Sequence, residues 1–296
     1  MNESKFDTLT QINLDDLTAS FGLKNRSLLA RIVRRLFLHP AQTFAAQITE
    51  LDDAIPIQGL ANAARRTASY YLRSLRIFGA DRIPVGPFLA LCNHPGLADT
   101  LCAFAALQRN DLKIIATERP FLNTMKNTSD KHLFYLKDDP AARMILVRQV
   151  ASHLRGGGAV LTFPAGHIEP DPDVYEGAVE SLNTWMESTA IFIRLAPDAP
   201  ILPMLIRGVV WDKIANHWLV QLRQTKEERE GFAAALQALA YFVFKKQNAH
   251  VRVQIGNLIY AKDLGSTETP VIHGAVLTEM KRLIEHPPED EGKSAL

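Results

Sequence analysis

Apolar residues along this 296-residue chain fall into two kinds of run, and the change comes near residue 84. Before it, apolar positions recur at helical spacing. In 25–38, Leu28, Leu29, Ile32, Val33, Leu36 and Phe37 make one stripe, while Arg26, Arg31, Arg34 and Arg35 occupy the other faces. Asn25 or Ser27 can cap this helix, and His39-Pro40 is expected to end it. A second helix is expected within 41–50. A third fits 58–78, with Tyr70, Tyr71, Leu72, Leu75 and Phe78 beside Arg65, Arg66, Arg73 and Arg76. Residues 1–20 read as a polar leader with a short helix from Leu14.

After residue 84 short apolar runs alternate with amphipathic ones. Strands are expected at 88–92, 112–117, 132–136, 159–163, 190–195, 203–210 and 250–255. Helices are expected at 98–109, 139–154, 174–188, 226–247 and 272–285. The alternation predicts an α/β fold, a largely parallel sheet flanked by helices, with an N-terminal amphipathic helical extension. The divisions that follow are an extension over 1–83, an α/β domain over 84–285 and a loose tail over 286–296.

The stretch 88–99, FLALCNHPGLAD, joins this pattern to chemistry. Five apolar residues read as a buried strand, and Pro95-Gly96 marks a turn after Asn93 and His94. His94 and Asp99 lie five apart, too far round for one helix face. A strand-turn-helix bend brings them together and puts Asp99 in a first helical turn, where a carboxylate stays charged cheaply. A His held by such an Asp is a general base of fixed tautomer. The competing reading is a core His beside a helix-capping Asp.

His94, four residues, Asp99 resembles the HxxxxD signature of the glycerolipid acyltransferases, the family of lysophosphatidic acid and glycerol-3-phosphate acyltransferases. Later stretches resemble that family's other blocks in the same order. IATERPFL, 115–122, places Glu118-Arg119-Pro120 at a strand exit. GGGAVLTFPAGHIEPDP, 156–172, resembles the FPEG block, with Phe163, Pro164 and Gly166 matching. Ala165 stands where that block has Glu, and His167-Ile168 stand where it has Thr-Arg or Ser-Arg. PILPMLI, 200–206, offers Pro203 for the fourth block. Across 84–285 the resemblance implies transfer of a fatty acyl group from acyl-CoA or acyl-ACP to a lipid hydroxyl, by default that of 1-acylglycerol 3-phosphate. It implies His94 and Asp99 as catalytic residues, and no cofactor beyond the thioester donor. Asn93, Arg119, Phe163, Pro164, Gly166, His167, Glu169 and Pro203 are the residues expected at the substrates. Amides near Pro95-Gly96 or around Gly166 are candidates to hold the oxyanion. Arg148 and Arg207 are further cations that can steer an anionic acceptor.

Charge adds one point. The net charge is +1, which gives no global field for nucleic acid. Between 21 and 80, however, nine Lys or Arg face Glu50, Asp52 and Asp53, a local excess of +6 (nine minus three). Basic amphipathic segments at 25–38 and 58–78 suit an anionic membrane surface. The leader lacks the basic and apolar regions of a signal peptide, and the longest apolar stretch, 231–244, is short for a span. The expected place is cytoplasmic or peripheral on the cytoplasmic face of a membrane. Cys92 and Cys102 read as core residues, and no metal site is expected. Acylation of another lipid alcohol or amine, a metal-dependent hydrolase, and a non-catalytic lipid-binding or partner-binding module are the alternatives.

Overall fold

The computed structural model describes residues 4–20, 28–96, 98–223, 225–244, 247–289 and 292–296. Two helices, α1 (Lys5–Ser20) and α2 (Leu28–Gln58), form an antiparallel hairpin, followed by α3 (Leu60–Tyr71) and β1 (Leu72–Phe78). Then come β2 (Phe88–Cys92), α4 (Asp99–Leu107), β3 (Lys113–Thr117), α5 (Pro120–Thr124), α6 (Lys126–His132) and β4 (Leu133–Leu136). The chain continues with α7 (Pro140–Arg155), β5 (Ala159–Thr162), α8 (Ala178–Ser181), α9 (Ala190–Leu195) and β6 (Ile201–Arg207). It closes with α10 (Asp212–Ala215), α11 (Trp218–Gln221), α12 (Lys226–Phe244), β7 (Ala249–Ile255), α13 (Thr269–Glu285) and β8 (Lys293–Ser294).

All eight strands join one sheet in the order β4-β3-β5-β2-β6-β7-β1-β8. The first five run parallel, β7 and β1 run against them, and β8 closes the far edge antiparallel to β1. β2, β5 and β6 are buried along their whole length, as strands covered on both faces must be. One core forms under α3 and α4, the other under α7, α9 and α13.

Several expectations change. Pro40 does not end a helix: α2 runs on through it to Gln58, so the separate helices expected at 25–38 and 41–50 are one. A proline inside a helix removes a hydrogen bond and costs roughly 3 kcal/mol. Burial of Ala41, Ala45, Ile48, Leu51 and Ile55 on one face of α2 offsets that cost. Asn25 and Ser27, expected as caps, lie outside the described residues. The helix read over 58–78 stops at Tyr71, and 72–78 is β1, so the sheet begins twelve residues before 84. The run 190–195 is α9 rather than a strand, and 174–188 breaks into short turns around α8. The tail is docked, since Ala295 is buried and its amide bonds the Leu75 carbonyl at 2.9 Å.

The hairpin has a defined direction. Tyr71 donates to Gln47 on α2 at 2.7 Å, and β1 starts at the sheet edge where β2 ends. Gly59, just past the C-terminus of α2, abuts Asn110, which precedes β3 at the opposite edge. Nineteen residues separate Gln47 from Leu28, about 28 Å of helix. The first half of α2 therefore projects beyond the edge at which β2 ends. Asp52 fixes its base, accepting from Lys5 at 2.7 Å and from the Thr128 amide and hydroxyl, each at 2.8 Å.

Candidate active site

Parallel strands end at one edge, and loops there converge on whatever an open α/β sheet binds. β2 delivers Asn93 and His94 to that edge. Its neighbour β5 delivers Phe163 and Pro164, and β6 on the other side delivers Gly208.

His94 Nδ1 lies 2.7 Å from Asp99 Oδ2 across the Pro95-Gly96 turn. Asp99 is fully buried at the start of α4, whose first turn favours its charge. Its Oδ2 also accepts the Gly96 amide at 2.9 Å, and its Oδ1 accepts the amide and the hydroxyl of Thr100. A carboxylate so surrounded by donors can only accept from the imidazole. His94 therefore carries its hydrogen on Nδ1 and presents a lone pair on Nε2, which has no partner among the described residues. The side chain is 28% exposed. Burial pulls the imidazole pKa down, but the hydrogen bond and charge of Asp99, joined by the charge of Glu169, raise it above its ordinary value. Phe163 packs on the ring at 4.8 Å between centroids. Burial pushes the thiols of Cys92 and Cys102 far up, so neither is a nucleophile at neutral pH.

Glu169 lies beneath this pair. It is 2% exposed, its Oε2 accepts the His94 amide at 3.0 Å, and its own amide donates to the His94 carbonyl at 2.8 Å. Trp185 Nε1 donates to Oε1 at 2.7 Å, and Ser181 lies 3.2 Å from the same oxygen. Asn93 is likewise structural, not a substrate group. Its amide exchanges hydrogen bonds of 2.8 and 2.7 Å with the Ile206 carbonyl and amide, extending the β2–β6 ladder with a side chain. Pro203 sits opposite Leu91 within the buried sheet, and its carbonyl accepts the Gly256 amide at 2.8 Å. Pro164 is buried, its carbonyl accepting from Met186. Gly166, at φ 72°, makes the exposed tip of the turn. His167 is exposed with Nδ1 2.8 Å from the Ala165 carbonyl.

Arg119 stands at the entrance to α5, exposed and without a side-chain partner among the described residues. Its strand β3 is two places from β2, about 10 Å away at ordinary strand spacing. Arg207 is no acceptor cation. It is 2% exposed, donates to the Leu283 and Ile284 carbonyls, and sits 3.5 Å from Asp173. Burial lowers its pKa, opposed by Asp173. Arg148 is exposed on α7. The candidate oxyanion donors also narrow. The Gly96 amide is taken by Asp99 and the Gly166 amide by the Phe163 carbonyl, whereas the amides of His167 and Ile168 have no acceptor among the described residues.

Asp171 is given no role by the sequence reading. It is wholly buried and accepts the amides of Gly208, Val209 and Val210 at 2.9, 2.7 and 2.9 Å. Burial raises its carboxyl, opposed by the amides of Val210, Gly208 and Asp173. Gly208 has φ 77°, and a Cβ there would meet the His250 carbonyl at 2.4 Å. The signal was present in Glu169-Pro-Asp171-Pro-Asp173: prolines hold the strap extended, so alternate carboxylates reach different loops. Glu169 grips the β2 loop, Asp171 the β6 loop, and Asp173 pairs with Arg252 at 2.7 Å.

Among the described residues, no group of acidic, His and Cys side chains could hold a metal ion, and no helix is long and apolar enough to cross a membrane. A cavity of about 770 Å³ lies at the opposite sheet edge, around Gly59, Asn110 and Lys131, and does not include His94.

Comparison with known proteins agrees with this arrangement. Residues 74–207, β1 through β6, match the family model described as Acyltransferase. No curated protein matches the sequence. Among solved structures, the fold is similar to that of the 1-acyl-sn-glycerophosphate (LPA) acyltransferase PlsC from Thermotoga maritima. The TM-score is 0.50 at 14% identity, over 97% of this chain and 95% of that one. The matched segment contains the His94–Asp99 pair, the strap that holds it and every strand whose end reaches it, so this chain carries an acyltransferase domain, and its chemistry is acyl transfer.

Proposed function

We propose that the chain transfers a fatty acyl group from an acyl-CoA or acyl-ACP thioester to the hydroxyl of a lysophospholipid, with 1-acylglycerol 3-phosphate as the default acceptor. The observation that carries this reading is the unpartnered Nε2 of His94, held by Asp99 at the ends of parallel strands. As the acceptor oxygen attacks the thioester carbonyl, Nε2 takes the hydroxyl proton. The tetrahedral oxyanion finds donors in the His167 and Ile168 amides. The C–S bond then breaks, and the imidazolium returns its proton to the leaving thiolate. The products are an ester and a free thiol, and no acyl-enzyme forms.

Arg119 is the cation we assign to the acceptor phosphate, suited to it by its planar fork of donors. A specific observation supports a second acceptor class, an unphosphorylated lipid alcohol or amine. Loop 163–169 has no Arg or Lys, and Ala165, where the family block has Glu, packs into the core.

The exposed half of α2 is the proposed membrane contact. Leu28, Leu29, Ile32 and Leu36 are all at least half exposed, and they project past the same edge as His94. The other basic segment is not part of this contact, because α3 buries Leu60, Ala64 and Ala68 in the core and β1 lies in the sheet. Thioester consumption and product mass, measured over matched phosphorylated and unphosphorylated acceptors, test the assignment. A phosphorylated acceptor preferred in the wild type, with that preference lost in Arg119→Ala, is the expected result. Equal rates on both classes would move the acceptor to the second one.

A further inference from the structure

The carboxylate missing at 165 has a counterpart four residues on, and its contacts are to the base. We propose that Glu169 is a positioning residue for His94, fixing the main chain that carries the imidazole and keeping a negative charge beneath it. This rests on the acyl-transfer reading above.

Three observations carry it. Glu169 and His94 hold each other through two hydrogen bonds, Oε2 to the His94 amide and the Glu169 amide to the His94 carbonyl. Such a two-point contact fixes the His94 peptide against sliding as well as rotation. Second, the carboxylate is anchored from behind by Trp185, whose ring is 4% exposed and whose Nε1 lies 2.7 Å from Oε1. Third, the geometry favours charge. The His94 amide and the Trp185 indole can only donate, so both oxygens must accept. Ser181 lies 3.2 Å from Oε1 but also 2.8 Å from the Ala178 carbonyl, so it shares its single hydrogen. Burial opposes that charge and raises the Glu169 carboxyl; the donors from Trp185, His94 and Ser181, and the nearby His167, act against the rise.

A buried anion that touches the base's backbone leaves a mark that packing alone does not. Two anions face His94, Asp99 from α4 and Glu169 from the strap, and both raise the imidazole; Cys92 and Cys102 nearby stay neutral. Removing the Glu169 charge leaves Asp99 alone, so His94 becomes a weaker base.

The experiment uses the full chain, assayed by thioester consumption with a saturating acceptor, across pH. Glu169→Gln is nearly isosteric but neutral, and its NH₂ must face either the His94 amide or the Trp185 indole, donor against donor. The expected result is a fall in kcat of about 10- to 100-fold, the range of a lost charged hydrogen bond. Acceptor KM should change by less than about twofold, and the acid limb of kcat should move to lower pH. Trp185→Phe, which keeps an aromatic ring and deletes one donor, should lower kcat less than Glu169→Gln does. It provides the test if Glu169→Gln does not fold. Raised acceptor KM with kcat unchanged would make Glu169 an acceptor ligand and overturn the proposal. So would wild-type kcat with an unmoved acid limb, or full activity in Trp185→Phe when Glu169→Gln does not fold. A wild-type protein that consumes no thioester with any acceptor would instead refute the acyl-transfer reading.

Discussion

Asp99→Asn separates a catalytic pair from a helix cap. The carboxylate receives four donors: His94 Nδ1 and the Gly96 amide on Oδ2, and the amide and hydroxyl of Thr100 on Oδ1. An asparagine keeps the size but has one acceptor end. If its oxygen faces His94, the NH₂ meets the Thr100 amide, donor against donor. If the NH₂ faces His94, it clashes with the Gly96 amide and forces the hydrogen of the imidazole onto Nε2, where no lone pair remains for the acceptor proton. The first arrangement costs roughly 1–3 kcal/mol of stability, the penalty of a buried donor left unmade. The second costs activity, about 10³- to 10⁴-fold in kcat when the wrong tautomer is held, as for a triad aspartate. Steady-state thioester consumption, with the melting temperature of the same preparation, reads both. A folded Asp99→Asn protein that loses less than tenfold would mean that Asp99 only caps α4.

Other consequences follow from the same contacts. His94 acts neutral, and its pKa is raised in the free protein, so kcat/KM should fall as pH drops through a value above the ordinary 6.5; a kcat/KM profile with its acid limb below 6.5 would contradict the assignment. Asp171→Ala strands three amides of the β6 loop, that of Val209 buried and those of Gly208 and Val210 partly so, and should cost on the order of 3 kcal/mol in denaturant unfolding; a loss under about 0.5 kcal/mol would make the strap ornamental. Replacing Leu28, Ile32 and Leu36 together with Ser should abolish flotation with anionic vesicles while leaving the melting temperature within a few degrees, because these side chains are already exposed. Unchanged flotation would place the membrane contact elsewhere.

The sequence was most legible where one kind of run did one job. The buried strands 88–92 and 159–162 were plain because both faces are covered, and the HxxxxD spacing defined a bend the fold indeed makes. β1 was missed because LRSLRIF continues the Arg-and-apolar texture of α3, and only pairing with β7 makes it a strand. The run 190–195, AIFIRL, has strand propensities but packs as a helix between α7 and α13, so tertiary contact overrode them. At the site, the residue types at the edge were readable, but their orientation was not. Asn93 and Glu169 are polar residues in the right loops, yet each is turned toward backbone, and Pro203 is a buried strand residue whose carbonyl bonds the Gly256 amide. Asp171 showed the converse, a loop aspartate with no apolar neighbours in sequence that the fold buries completely.

The most direct measurement is product formation by His94→Ala beside the wild type, with acyl-CoA, an anionic-vesicle surface and lysophosphatidate as acceptor. The imidazole is 28% exposed and its loss leaves the Asp99 carboxylate with three other donors, so the variant should remain folded. The account predicts one ester and one free thiol per turnover in the wild type, and no transfer above background in a folded His94→Ala protein. Near-normal turnover by that variant would contradict it.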